Sequence, residues 1–234
     1  MKASPSSDTF IETLRRNKAY IFALIALMIL FAILEDLFTG NILHMDGIAY
    51  NLFVVRLRRG WLTPYMEQFS DLASPVILGV FCLIVISLTS GERLGRCILI
   101  NLVCAVALNF ILKDIIRRPR PEGFRLISEV GFSFPSGHSM VAMAFFGLIV
   151  WIIWVYQKNR ALKYISCALL CFVIAMVGIS RIYLGVHYAS DVVSGFCISL
   201  LWLVFYTHTI APYYMGTHVT HAFNKEAQPK HMKA

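Results

Sequence analysis

A histidine and an aspartate stand four residues apart in the segment SRIYLGVHYASD, residues 180–191. On a helical turn this spacing puts His187 and Asp191 on one face, within side-chain reach of each other. A carboxylate that accepts a hydrogen bond from Nδ1 fixes the tautomer, so that Nε2 presents its lone pair as a nucleophile. An aspartate near the start of an apolar stretch is also typical of a plain helix cap. This segment alone is compatible with both interpretations.

Basic side chains accompany this pair at two places. Arg181 follows seventeen mostly apolar residues, and a charge at the edge of a membrane needs an anionic partner or water. In KDIIRRPRP, residues 113–121, Lys113 ends an apolar stretch, and prolines hold Arg118 and Arg120 in an extended segment. The two arginines should project in a similar direction, which suits an oxyanion. A basic loop that attracts lipid headgroups has the same composition.

A third polar segment, PSGH at residues 135–138, opens a long apolar stretch. The free N–H groups at a helix N-terminus bind phosphate, and a glycine lets the ligand approach the backbone closely. Ser136, Gly137 and His138 would supply these features. Ser136 is equally compatible with a simple N-cap, and His138 with an interfacial histidine.

The composition of the chain indicates an integral membrane protein. Of its 234 residues, 58% are apolar and 15% are charged, whereas a typical soluble domain has about 45–50% and about 25%. The formal charge of +8 comes from basic residues in short loops, which favours anionic lipid headgroups as partners and argues against a nucleic acid. The six cysteines lie inside apolar runs without CxxC spacing, so we interpret them as packing residues.

Six apolar stretches are long enough to cross about 30 Å of hydrocarbon as helices, which takes roughly 17–25 residues. We place them near residues 19–38, 73–90, 97–112, 139–156, 164–180 and 192–211. The predicted fold is an all-α integral membrane bundle of six transmembrane helices, in a single membrane domain over residues 1–234. Residues 50–74 mix arginines with aromatic residues and contain Gly60 and Pro64, which predicts one or two amphipathic interfacial helices broken at those two positions.

The distribution of basic residues predicts how the bundle is oriented. The first apolar stretch is longer than the core of a signal peptide and lacks a cleavage site, so it should remain as an anchor. Lys and Arg number 12 on the side of both termini and 9 on the other side, which predicts cytoplasmic termini. The bias increases if Lys113, Arg120 and Arg181 are set aside as ligand-binding residues. The three polar segments then share the extracytoplasmic face of a cell membrane, and the short loops favour a bacterial inner membrane.

Together the three segments resemble the type 2 phosphatidic acid phosphatase superfamily, whose membrane lipid phosphatases share a helical core with vanadium haloperoxidases and glucose-6-phosphatase. The superfamily's motifs are Lys-x6-Arg-Pro, Pro-Ser-Gly-His and Ser-Arg-x5-His-x3-Asp. The sequence matches all three, in order and without a departure: Lys113 with Arg120 and Pro121, then residues 135–138, then Ser180 and Arg181 with His187 and Asp191. The resemblance covers roughly residues 62–206, which we take as the phosphatase core.

The resemblance implies a role for each matched residue. His187 would be the nucleophile that forms a phosphohistidine, with Asp191 orienting it, and His138 would be the general acid and then the base for water. The phosphoryl oxygens would be held by Lys113, Arg120, Arg181, Ser136 and the backbone N–H of Gly137. No cofactor is implied, because the superfamily works without a metal and no Asp/Glu/His cluster has metal-ligand spacing. Arg118 lies outside the motif and is expected only to contact headgroups.

The activity implied is hydrolysis of a terminal phosphate from a membrane lipid phosphate or diphosphate. Phosphatidylglycerophosphate and undecaprenyl diphosphate are favoured over phosphatidic acid and a lipid A phosphate; transfer to another lipid and the oligomeric state stay open. A lipid transporter or binder with the same basic pocket is the alternative, although binding alone needs no nucleophile with an orienting carboxylate. Haem held between His138 and His187 would leave the arginines without a role.

Overall fold

The computed structural model describes residues 17–40, 44–88, 92–123 and 125–215. Its described secondary structure is entirely helical, which confirms the predicted all-α class. The helices are α1 (Lys18–Thr39), α2 (His44–Ala49), a π-helical segment (Tyr50–Arg56), α3 (Thr63–Asp71), α4 (Pro75–Leu88), α5 (Glu92–Ile116), α6 (Gly137–Tyr156), α7 (Arg160–Tyr183), α8 (Ala189–Thr209) and α9 (Ala211–Met215).

Five of the described helices, α1, α5, α6, α7 and α8, are long and apolar enough to cross a membrane. Helix α4 has 14 residues, and at about 1.5 Å per residue it falls short of the roughly 30 Å of hydrocarbon. It forms a broken pair with α3, bent by 52°. The six predicted spans therefore correspond to five continuous helices and one bent pair, and residues 89 and 90 of the predicted second span lie outside the described ranges.

The segment predicted to be interfacial differs from the expectation at two points. The break falls at residues 57–62, which include Gly60, but the predicted break at Pro64 is wrong. Pro64 lies in the first turn of α3, where its missing N–H costs no helical hydrogen bond. Helix α3 also packs on α7 and buries Met66 and Ser70, so part of this segment belongs to the bundle.

Helix α6 lies at the centre of the bundle and packs against α5, α7 and α8. Its Phe145 and Leu148 are buried in one cluster with Val177 of α7 and Tyr206 of α8. The six cysteines are all free, and four of them are buried, in agreement with a packing role. This arrangement fixes α6 relative to both helices whose ends carry the third polar segment.

Close packing brings the start of α6 against the start of α8. A Cβ added at Gly195 of α8 would lie 3.0 Å from the carbonyl oxygen of Ser136, so only a small residue fits there. The backbone N–H of Ser136 donates to the carbonyl oxygen of Asp191 over 3.0 Å. A backbone hydrogen bond therefore joins the second and third polar segments.

Candidate active site

His187 and Asp191 contact each other at the junction of α7 and α8. Nδ1 of His187 lies 3.4 Å from Oδ2 of Asp191. The expected shared helical turn is wrong, because α8 begins at Ala189 and His187 lies before it. Asp191 also accepts a hydrogen bond from the N–H of Tyr188 over 2.9 Å. Asp191 thus combines the two interpretations of the sequence, since it caps the helix and faces the histidine.

A tight turn after α7 places His187 in the interior. Gly185 has φ +77°, a left-handed conformation that favours glycine, and its N–H donates to the carbonyl oxygen of Ile182 over 3.0 Å. The N–H of Leu184 donates to the carbonyl oxygen of Ser180 over 2.8 Å. These bonds end the helix and turn the chain inward, and His187 is only 3% exposed as a result.

Ser133 is a third member of this cluster that the sequence analysis missed. Its hydroxyl donates to Oδ2 of Asp191, and its Oγ lies 3.4 Å from Nδ1 of His187. Ser133 and Asp191 are both fully buried. Its one sequence signal is a position two residues before the PSGH segment, which is too common a feature to indicate a contact with Asp191.

Arg120 faces the other nitrogen of the His187 ring, with Nη1 at 3.2 Å from Nε2. The guanidinium is held there by the carbonyl oxygens of Val186, Gly131 and Val130, at 3.0, 3.0 and 3.2 Å. Because arginine only donates, Nε2 must be the acceptor, and the ring proton lies on Nδ1 toward Asp191.

Burial also favours the neutral imidazole. It lowers the pKa of His187 to about 4 and outweighs the hydrogen bond and the negative charge of Asp191, which act in the opposite direction. His187 is therefore neutral near pH 7. Combined with the contact from Arg120, this leaves a lone pair on Nε2, as a nucleophile requires.

Arg181 is 1% exposed and pairs with an acidic residue that the sequence analysis missed. Its Nη1 donates to Oγ of Ser70 over 2.6 Å, and its Nη2 donates to Oε1 of Glu129. Oε2 of Glu129 lies 3.7 Å from Nη2 of Arg120. Glu129 is thus the anionic partner that Arg181 was expected to need, but a single acid in a loop has no spacing that would identify it.

Glu129 is ionised in this position. Burial raises the pKa of its carboxyl, but the charge of Arg181 and the hydrogen bond to it outweigh burial, so the pKa lies below its ordinary value. A carboxylate therefore occupies the space between the two arginines that were predicted to hold phosphoryl oxygens.

Ser136 is the N-cap of α6. Its Oγ accepts hydrogen bonds from Oγ of Ser139 over 2.9 Å and from the N–H of Ser139 over 3.5 Å. Gly137 follows it, and a Cβ there would lie 2.9 Å from Oδ1 of Asn109 on α5. A protein neighbour therefore restricts this position, a reason that differs from the predicted approach of a ligand.

The two remaining predicted residues lie around the same centre. His138, half-buried in the first turn of α6, is in electrostatic range of Arg181, Glu129 and His187. Lys113 in the last turn of α5 donates from Nζ to the carbonyl oxygen of Phe132. The structure thus brings all eight predicted residues to one end of the bundle.

Arg118 does not project toward headgroups as expected. Its guanidinium lies 2.6 Å from Oδ1 of Asp191 and 2.9 Å from Oδ2 of Asp46. Arg118 and Arg120 both face the His187–Asp191 pair, but they contact opposite ends of it. Asp46 comes from α2, far outside the three motifs, and the sequence analysis did not single it out.

Within the described part of the chain, no group of three or more His, Cys, Asp or Glu side chains is arranged to hold a metal ion. The charges that act on His187 include those of Asp191, Arg120 and Arg181, and Lys113 and Glu129 act in turn on the two arginines. Such a set suits an anionic ligand with several oxygens, because each cation can donate to a different oxygen.

Comparisons with known proteins show which family this sequence matches. The PAP2 superfamily pattern matches residues 94–214. Phosphatidylglycerophosphatase B of Bacillus subtilis (strain 168) is 32% identical over 184 residues, which are 76% of this chain and 89% of that protein. Dolichyldiphosphatase 1 of Dictyostelium discoideum is 26% identical over 136 residues, 55% of this chain and 59% of that protein.

A solved structure shows the same fold. The crystal structure of a transmembrane PAP2 type phosphatidylglycerolphosphate phosphatase from Bacillus subtilis superposes with a TM-score of 0.66 at 28% identity, over 81% of this chain and 94% of that one. The family predicted from the three motifs is therefore confirmed, and with it a multi-pass membrane protein. On its sequence and its fold together, the chain belongs to the PAP2 superfamily.

Proposed function

We propose that this PAP2 enzyme removes the terminal phosphate from a membrane lipid phosphate or diphosphate through a phosphohistidine on His187, without a metal ion. The observation that carries the proposal is the orientation of the neutral His187 ring: Nδ1 faces Asp191, and Nε2 faces a donor of Arg120. A phosphate that enters beside Nε2 takes over the contact with Arg120 and lies in line for attack.

In the first step, Nε2 of His187 attacks the phosphorus atom. The N–P bond forms while the bond from phosphorus to the lipid oxygen breaks, and His138 gives a proton to the departing oxygen. The Nδ1 proton stays on the ring, where Asp191 stabilises the positive charge that develops. Arg120, Arg181 and Lys113, with the backbone N–H of Gly137 and Ser136, stabilise the negative charge on the phosphoryl oxygens.

In the second step, His138 takes a proton from a water molecule, which attacks the phosphohistidine. The N–P bond breaks, inorganic phosphate leaves, and both histidines return to their starting states.

A feature of Arg181 supports an anion in this space: its buried Nε has no hydrogen-bond partner among the described residues. A phosphoryl oxygen would satisfy that donor.

We propose phosphatidylglycerophosphate or undecaprenyl diphosphate as the substrate, with residues 62–206 as the catalytic core. The name of the Bacillus relative supports the first lipid, and that of the Dictyostelium relative supports a polyprenyl diphosphate. The substrate is tested by measuring phosphate release from four lipids, which are these two, phosphatidic acid and a lipid A phosphate. The rates rank the four lipids as substrates. If the terminal phosphate of the substrate is labelled, appearance of the label in a second lipid would show phosphoryl transfer in place of hydrolysis.

The test of the mechanism uses His187→Ala in the purified protein in lipid vesicles. Phosphate release and the acid-labile phosphoenzyme should both be lost, whereas His208→Ala, at the other end of α8, should retain both. EDTA should leave the wild-type rate unchanged. Strong inhibition by EDTA would refute the metal-free mechanism, and a His187→Ala variant that still forms a phosphoenzyme would refute the role of His187.

A further inference from the structure

One largely buried arginine, Arg118, has no part in the mechanism described above. Arg118 donates from Nη1 to Oδ1 of Asp191 over 2.6 Å and to Oγ of Ser190 over 2.7 Å. Its Nη2 donates to Oδ2 of Asp46 over 2.9 Å. The side chain of Arg118 is 12% exposed and that of Asp46 is 9% exposed, so both charges are largely removed from water. Water can therefore do little to replace these contacts.

We propose that Arg118 and Asp46 are positioning residues that fix the carboxylate of Asp191, and through it the ring of His187. We call the group of Asp46, Arg118 and Ser190 the arginine clamp. The inference rests on the proposed function, because it concerns the same nucleophile. Asp46 lies outside both residues 94–214 and the proposed core, so the clamp makes α2 part of the catalytic apparatus.

The clamp divides the work of the two oxygens of Asp191. Oδ1 accepts from Arg118, which leaves Oδ2 for the Ser133 hydroxyl, the N–H of Tyr188 and the His187 ring. A carboxylate held at both oxygens cannot rotate about its bond to Cβ. The orientation of the His187 ring, and hence the direction of its Nε2 lone pair, therefore depends on a contact on the far side of Asp191.

Asp46 in turn holds Arg118 and the first turn of α8. Its Oδ1 accepts from the N–H of Ser190 over 2.8 Å, and its Oδ2 accepts from the Ser190 hydroxyl over 2.7 Å. A carboxylate at a helix N-terminus is also stabilised by the helix dipole. The guanidinium of Arg118 lies 4.0 Å from the centre of the Tyr188 ring, which restricts it further.

The charges of the clamp make Arg118 hard to replace. Two carboxylates, those of Asp46 and Asp191, share one guanidinium. Burial lowers the pKa of Arg118, but the two carboxylates outweigh burial and raise it above its ordinary value, so the charge is permanent. Without Arg118, the two carboxylates would repel each other across Ser190, and Asp191 would turn away from His187.

The test compares Arg118→Gln, Arg118→Lys, Asp46→Asn and the double variant Arg118→Gln/Asp46→Asn. Arg118→Gln should lower kcat about 30- to 100-fold, with KM changed by less than about twofold, because the phosphate itself does not touch Arg118. Phosphoenzyme formation in a single turnover should slow by the same factor. Arg118→Lys should have a kcat between those of the wild type and Arg118→Gln, since lysine keeps the charge but lacks the planar fork of the guanidinium.

The double variant shows whether Arg118 and Asp46 position Asp191 together or independently. Asparagine at position 46 still offers Oδ1 to the N–H of Ser190, so the variant removes mainly the charge that acts on Arg118. The double variant should therefore be no slower than Arg118→Gln, and relief of repulsion makes it faster. The matched control is Arg117→Gln, since the side chain of Arg117 is exposed and contacts Asp114 and the ring of Phe132, away from Asp191 and Asp46. It should keep the wild-type kcat and KM.

Three results would overturn the clamp while the proposed function stands. They are an Arg118→Gln variant with higher KM and unchanged kcat, multiplicative losses in the double variant, and a folded Arg118→Lys variant with the wild-type kcat. Thermal unfolding in detergent identifies variants that fail to fold. If Arg118→Gln is one of them, the kcat of Arg118→Lys decides whether Arg118 has the proposed role. A wild-type protein that forms no phosphoenzyme would instead overturn the proposed function and the clamp together.

Discussion

At the residue scale, the three arginines of the site are already paired with carboxylates. Arg120 and Arg181 face Glu129, and a separate carboxylate pair holds Arg118. Burying cations without partners would cost several kcal/mol each, so the fold supplies internal anions. Of these carboxylates, Glu129 has a side chain that is 27% exposed, whereas Asp191 is fully buried. We therefore expect an incoming phosphate to displace Glu129 from the two arginines.

The first prediction concerns Glu129→Gln. Glutamine keeps the size of the side chain but removes the charge that competes with phosphate for Arg120 and Arg181. The inhibition constant of inorganic phosphate should fall about three- to tenfold, and the KM for the lipid substrate should fall as well. Both are measured as phosphate release from vesicles.

The matched control is Glu122→Gln, because Glu122 lies in the same connection but is exposed. It should leave both constants unchanged. Weaker inhibition by phosphate in Glu129→Gln would show that the carboxylate supports the arginines more than it competes with the ligand.

The second prediction concerns pH. His187 is neutral above its pKa and loses its Nε2 lone pair below it. Because burial lowers that pKa to about 4, the acid limb of kcat/KM should fall near pH 4, whereas an ordinary histidine has a pKa of about 6.5.

Ionisation of the substrate must be separated from that of the enzyme. The second pKa of a phosphate monoester is about 6, so its titration in the same vesicles is measured by phosphorus NMR and divided out. An acid limb that stays near pH 6.5 after this correction would contradict a buried, neutral His187.

At the element scale, α5 and α6 meet at Gly137. The Nδ2 group of Asn109 donates to the carbonyl oxygen of Pro135 over 3.2 Å, which fixes the amide beside the glycine. Its Oδ1 then occupies the space that a Cβ at Gly137 would need. Helix packing and ligand access therefore give competing explanations for the same glycine.

The third prediction distinguishes these explanations. Gly137→Ala should lower kcat/KM about tenfold, because the new Cβ displaces Asn109 and shifts the start of α6. Adding Asn109→Ala should restore part of the activity if helix packing is the cause. A double variant no more active than Gly137→Ala would show instead that the ligand needs the space, and the single Asn109→Ala variant provides the reference rate.

The elements also show which features a sequence can predict. The approximate positions of the apolar helices and the eight predicted site residues come from local patterns, because apolar runs and motif spacings are properties of short segments. The partners of these residues do not follow, since Glu129, Ser133, Asp46 and Asn109 reach the site only through tertiary packing. The same limit explains why the sequence does not show that His187 lies before α8. A histidine four residues before an aspartate has the same spacing whether the pair shares a helical turn or the aspartate caps a helix that begins after the histidine.

On the scale of the whole molecule, the site lies at one end of the bundle. The last turn of α5, the first turn of α6 and the junction of α7 with α8 all meet there, while the chain leaves α8 at the other end. A lipid phosphate whose headgroup lies at the membrane surface can therefore reach His187 only from the side of the membrane that this end faces. Orientation in the membrane decides which lipid pool is hydrolysed.

The fourth prediction is that the site faces away from the cytoplasm. Basic residues are more numerous on the side of the termini, 12 against 9, and of those 9, Lys113, Arg120 and Arg181 are held inside the site. Positive residues in short loops remain in the cytoplasm. In a bacterial host, green fluorescent protein fused after Ala234 should therefore fluoresce, and alkaline phosphatase fused there should be inactive.

A fusion at the other end of the bundle gives the matched control. Alkaline phosphatase fused after Arg125, in the connection between α5 and α6, should be active, because that connection lies at the site end. The opposite pattern of the two fusions would place His187 on the cytoplasmic side. The chemistry at His187 would be unaffected, since it depends on local contacts, but the enzyme would then act on lipid phosphates of the inner leaflet.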